Sequence, residues 1–142
     1  MGKSWVGFST SPKTPEGETI VEVARFDVAV SDAQLVAALT TREGIESWIG
    51  TTTAFTDRRG GNIDFVTDSG AFGGSFMLID VPRRVILATE IHGEIDIKLD
   101  VRATPTSIEI SMKRVVPLAE NSADVAARLR GTIEQLKKVC SG

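Results

Sequence analysis

Between residues 51 and 116 the chain is a succession of short alternating segments with no helical periodicity, followed by one long amphipathic stretch. Nothing else in the sequence limits the fold as much. Strands are predicted over 51–57, 62–67, 71–80, 84–91, 95–103 and 107–115, separated by the turn-forming RRGG, DSG, VPRR, HGE and TPT. Within 95–103, Ile95, Ile97, Leu99 and Val101 alternate with Asp96, Lys98, Asp100 and Arg102, so one face is buried and the other wet. Ile108, Ile110 and Met112 repeat the pattern. Strands of this kind build an antiparallel sheet whose apolar face must be covered.

The C-terminal segment, roughly 122–140, supplies the cover. Val125, Leu129, Ile133, Leu136 and Cys140 recur at helical spacing and form one stripe, while Arg128, Arg130, Glu134, Lys137 and Lys138 lie largely off it. Ser122 is the expected cap, with Asp124 in the first turn. Cys140 reads as a small apolar residue at the helix end. Upstream, TIVEVARFDVAV (19–30) is a further strand, and Ser31 and Gln34 have capping-box spacing before a short helix. TREGIESWIG (41–50) reads as a second short helix interrupted by Gly44, with Ile45, Trp48 and Ile49 available for burial. The expected fold is therefore α+β. A curved antiparallel sheet of about seven strands wraps around the long C-terminal helix, and two short helices after the first strand close one end. It occupies residues 19–142 as one domain. Residues 1–18, rich in Gly, Pro, Ser and Thr, read as a flexible N-terminal arm carrying Trp5 and Phe8.

Several function classes receive no support. The net charge is −3 and the basic pairs are scattered, so no nucleic-acid partner is expected. One cysteine and one histidine leave no disulfide and no clustered metal site, and no cofactor motif stands out. The GKS at the start and the glycines of RRGGN and GAFGGS lack the strand-to-helix setting of a phosphate loop. No apolar run approaches a membrane span, and the first twenty residues lack a secretory core, so a cytoplasmic setting is expected.

The segment VSDAQLVAALTTREGIESWIG (30–50), with Ala38-Leu39-Thr40 followed by Trp48, resembles the N-terminal signature of proteins similar to the activator of the heat-shock protein 90 ATPase. GGNIDF (60–65) and IDVPRRVILATE (79–90) resemble the later landmarks of that branch. Over about residues 19–140 the chain is thus similar to the helix-grip fold of the START-like (SRPBCC) superfamily. Two positions depart from it: Ala37 stands where an aromatic residue is frequent, and Thr132 lies near a frequent tryptophan. The resemblance implies a cavity between sheet and last helix that holds an apolar or amphipathic small molecule. It also implies, as alternatives, docking on a chaperone ATPase or cyclase and dehydratase chemistry; fold alone does not choose among these. Phe65, Phe76, Ile97, Met112, Leu129, Ile133 and Leu136 are the residues expected around such a cavity. Trp48 either joins them or anchors the two short helices.

TEIHGEID (89–96) sets the only histidine among carboxylates. A three-residue loop His92-Gly93-Glu94 places Ile91 opposite Ile95, Thr89 opposite Ile97, Leu87 opposite Leu99 and Val85 opposite Val101, which joins one apolar face. A two-residue His-Gly loop instead places Glu90 beside Ile95 on the buried side, where a carboxylate is costly. In either register His92 sits in the turn, expected to be exposed and chemically idle. Glu90 is the one candidate acid or base for an enzyme, and its plainer reading is an exposed strand carboxylate. No catalytic residue is assigned.

Overall fold

The first long strand pairs with the last, and the rest of the sheet follows from that closure. The structure, a computed structural model, describes residues 13–14 and 17–142. Strand β1 is Lys13–Thr14 and β2 is Gly17–Asp27; helices α1 (Asp32–Thr40) and α2 (Arg42–Trp48) follow. Then come β3 (Thr51–Phe55), β4 (Asn62–Thr67), β5 (Gly70–Asp80), β6 (Arg84–Thr89), β7 (Gly93–Asp100), β8 (Ser107–Pro117) and α3 (Ser122–Cys140). The sheet is antiparallel in the order β1-β2-β8-β7-β6-β5-β4-β3. The short helices carry the chain from β2, near one edge, to β3 at the other. Seven long strands match the expected architecture, and the two-residue β1 adds to the β2 edge. The expected N-terminal arm, with Trp5 and Phe8, otherwise lies outside the described residues.

Local chemistry explains the helix boundaries. Ser31 Oγ accepts from the Gln34 backbone N–H at 3.2 Å and Gln34 Oε1 accepts from the Ser31 N–H at 3.0 Å, closing the capping box. Gly44 does not interrupt α2, contrary to the sequence expectation. It lies in the first turn of a continuous helix, where a Cβ would fall 2.0 Å from the Ala37 carbonyl oxygen. The glycine lets α1 and α2 meet. The cap of α3 also differs from expectation. Asn121, not Ser122, accepts from the Ala123 and Asp124 N–H groups, at 2.9 and 3.1 Å. The Ser122 hydroxyl is free to donate to Glu18 at 2.7 Å, helping hold α3 over β2.

The β6–β7 hairpin takes neither register anticipated from the sequence. Thr89 lies opposite Gly93, Leu87 opposite Ile95 and Val85 opposite Ile97, leaving Glu90, Ile91 and His92 as the loop. Gly93, at φ 71°, supplies the left-handed residue that starts β7, and a Cβ there would lie 2.2 Å from the Lys113 carbonyl oxygen. Relative to the favoured register each partner moves along β7 by four residues. An even shift preserves the faces, so Val85, Leu87, Thr89, Ile95, Ile97 and Leu99 still point inward together. Ile91, expected in the inner strand row, is instead a half-buried loop residue.

The inner faces of β4 to β8 and the α3 stripe form one buried cluster, which α1 and α2 join through Leu35, Leu39, Ile45 and Trp48. Register shifts in β3 and in β5, between Phe76 and Leu78, mark bulges of the kind that increase strand twist and bend a sheet.

Candidate functional site

All eight residues expected around a cavity are buried and belong to this single cluster. Phe65, Phe76, Ile97 and Met112 come from β4, β5, β7 and β8; Leu129, Ile133 and Leu136 come from α3. Trp48 sits at the α1–α2 end, where its indole N–H donates to the Ala38 carbonyl at 2.9 Å and so ties the two short helices together. Cys140 closes the α3 stripe, and burial pushes its thiol up to about 11. Two outer clefts of about 570 and 650 Å³ are lined mainly by charged residues such as Arg25, Lys98 and Asp100, and by Asp80, Arg84 and Arg102. Neither contains any of the eight.

At the β6–β7 turn the interior is polar, and His92 is the centre of that polar part. The expectation of an exposed His92 is overturned: the residue is only 2% exposed. Its Nδ1 is 2.8 Å from Thr89 Oγ1 and its Nε2 is 3.1 Å from Thr132 Oγ1 on α3. The surrounding bonds identify the tautomer. Thr132 donates its hydroxyl to the Arg128 carbonyl at 3.2 Å, so its oxygen accepts from His92 Nε2–H. Thr89 Oγ1 accepts from the His92 backbone N–H at 2.9 Å, leaving its proton for Nδ1. Each donor in this chain meets an acceptor, which is what a buried polar group requires. Phe72 packs its ring edge-on against the imidazole, with centroids 5.7 Å apart, and stacks on Phe65 at 4.9 Å.

A neutral ring fits this environment. Burial lowers the His92 pKa from its ordinary 6.5 to about 4, and the Arg128 and Arg114 guanidinium groups add to the effect. Both ring nitrogens are engaged, so His92 has no free lone pair for proton abstraction in this conformation. The ring is locked inside, not solvated outside as expected.

Two arginines flank the turn. Arg114, on β8, donates to the Ile91 carbonyl at 3.0 Å and to both Glu120 carboxylate oxygens at 2.9 Å. Arg128 lies one helical turn before Thr132, half-buried, and forms no ion pair among the described residues. Glu90 is exposed, and its carboxylate accepts from the Gly73 N–H at 2.6 Å while its own N–H bonds the Gly73 carbonyl at 3.0 Å. It pins the turn to β5. Asp96 pairs bidentately with Arg84 on the outer face at 2.6 and 2.9 Å.

Sequence reasoning missed Thr132, Arg114 and Arg128. For Thr132 a signal was present, since it stands three residues after Leu129 and next to Ile133, on the shoulder of the α3 stripe. Thr89 was already on the inner parity, but as a partner of Ile97, not of a histidine. Among the described residues no group of three metal-ligating side chains is assembled, and no helix is long and apolar enough to cross a membrane.

No family model and no curated protein matches the sequence. Solved structures do match by shape. The Aha1 dimer from Colwellia psychrerythraea aligns over 86% of this chain and 96% of its own, with TM-score 0.68 and 16% identity. The AHSA1-like protein from Aeromonas hydrophila covers 84% of this chain and 91% of its own at TM-score 0.63 and 15% identity. CalU16 from Micromonospora echinospora covers 91% and 81% at TM-score 0.61 and 19% identity. At these identities the likeness concerns architecture alone. The chain has the helix-grip fold, which it shares with the Aha1 and AHSA1-like structures.

Proposed function

We propose that the protein is a small binding domain that holds an apolar or amphipathic small molecule between its sheet and α3. The observation that carries the reading is the make-up of that interior. It has an apolar body around Phe65, Ile97, Met112 and Leu129, with a few fixed, neutral polar groups (Thr89, His92 and Thr132) gathered at one end. Burial gives such a site affinity, and a small number of placed polar groups gives it orientation. The test is to titrate lipid and aromatic ligands while following backbone and methyl chemical shifts. Perturbations confined to Phe65, Ile97, Met112, Leu129 and the His92 turn are the expected result. A panel in which none of these responds removes the basis of the reading.

A second reading, docking on a chaperone ATPase, draws on a different surface. Val21 and Val23 on β2 and Val115 on β8 are 52–56% exposed on the outer face of the sheet. The Aha1 and AHSA1-like structures share the fold that presents this face. Val23→Asp is expected to abolish capture of the cell's own heat-shock ATPase while leaving small-molecule binding intact. If the unsubstituted chain captures no such ATPase, this second reading is withdrawn.

A further inference from the structure

Two arginines reach the polar part of the interior, and only one of them is ion-paired among the described residues. Arg114 reaches the β6–β7 turn from β8 and shares Glu120, which holds it with both carboxylate oxygens. Arg128 reaches the same turn from α3 and has no carboxylate. Asp124, one turn earlier on the helix, makes no ion pair with it among the described residues, and Glu90 is occupied by the Gly73 N–H. The carbonyl of Arg128 is one hydroxyl away from the His92 ring, through Thr132. The guanidinium therefore starts from the rim of the buried cluster. A half-buried cation beside low-dielectric surface attracts an anion more strongly than one in open solvent.

One hydrogen bond, from His92 Nε2 to Thr132 Oγ1, ties this turn to α3. The groups behind it are Phe72 and Phe65, stacked on each other and leading into the apolar interior. A molecule entering here passes a cation first and hydrocarbon next.

We propose that the ligand is an anionic amphiphile, an apolar tail with a carboxylate or phosphate head, and that Arg128 anchors the head at the β6–β7 turn with Arg114 behind it. This rests on the small-molecule reading above and names the ligand class for the same site. Parting the His92–Thr132 bond admits the tail, and the His92 Nε2–H is then free to donate to the head group.

The test uses the full chain and four probes with one decyl tail: decanoate, decyl phosphate, 1-decanol and decyltrimethylammonium. Binding is followed by calorimetry and by the chemical shifts of the His92 turn. Both anions are expected to bind roughly ten- to hundredfold more tightly than the alcohol, the range of a charge-assisted hydrogen bond, with the cation weakest. Decyl phosphate ahead of decanoate identifies a phosphate head, and the reverse order a carboxylate. Arg128→Gln should bring the anions down to the alcohol's affinity, while Arg128→Lys keeps most of the preference. For the unsubstituted chain, added salt should weaken the anions and leave the alcohol unchanged, which tests the anchor without any variant. Equal binding of alcohol and anions, unaffected by salt, overturns the anchor but leaves the small-molecule reading standing. Failure of every probe to bind overturns both.

Discussion

Two places in the interior, joined across the sheet by Phe65 and Phe72, each bury a threonine and satisfy it in opposite ways. At the β6–β7 end, Thr89 and Thr132 bracket a histidine that must stay neutral. At the α2–β3 end, Thr52 is 4% exposed and sits between two charges. Glu46 accepts from its N–H at 2.7 Å and its hydroxyl at 2.8 Å, while Arg42 donates to its hydroxyl at 2.8 Å and its carbonyl at 2.9 Å. Those charges keep access to water, with the Arg42 and Glu46 side chains 48% and 30% exposed, so ionisation there is inexpensive. His92 has no such outlet. The difference teaches that burial decides the protonation state of His92, whereas hydrogen bonds from Thr52 decide that of Glu46.

Acid separates the two ends most sharply. The folded chain refuses a proton at His92 until about pH 4, whereas the unfolded chain takes one up near 6.5. The stabilisation is therefore complete above pH 6.5 and is lost as pH falls toward 4. Thr52's N–H, then its hydroxyl, with a smaller share from Arg42, hold Glu46 below the usual carboxylate range. Its contribution is lost only below the ordinary 4.5, so between pH 6.5 and 5 the loss comes from the histidine end. Denaturant unfolding of the wild type against His92→Gln should show the wild type losing about 2 kcal/mol more by pH 5, and about 3 kcal/mol more by pH 4. Parallel curves for the two proteins would mean that His92 titrates freely and that the neutral end is not closed.

Removing the hydroxyl at the ionic end should matter less. Thr52→Val keeps the shape and the backbone bonds but deprives Arg42 and Glu46 of one partner each. Because both charges can turn to water, a loss of about 1 kcal/mol is expected in chemical denaturation at neutral pH. A loss as large as 3 kcal/mol would show that this end is as dry as the other.

Much of the architecture was legible in the sequence because alternation and helical spacing are local properties of the chain. The inward parity of Ile95, Ile97 and Leu99, the α3 stripe and the Ser31–Gln34 capping box all follow from neighbours a few residues apart. Hairpin register was legible only in its parity. Two candidate loops both began at His92, while the real loop ends there, since Gly93 is required at a left-handed position packed against Lys113. The eight apolar residues were identifiable as buried, but their polar neighbours were not.

The sequence by itself determined which side chains face inward, because strand and helix periods leave each residue little choice of face. Only the tertiary structure decided what His92 is. Its burial depends on Thr132, forty positions away on a helix whose apolar stripe carries it over the end of the hairpin. Desolvation and two nearby guanidinium groups then set the ring's charge. A turn histidine flanked by carboxylates in sequence is, in space, flanked by threonines, a phenylalanine and arginines, because chain neighbours in a tight turn diverge while distant segments converge.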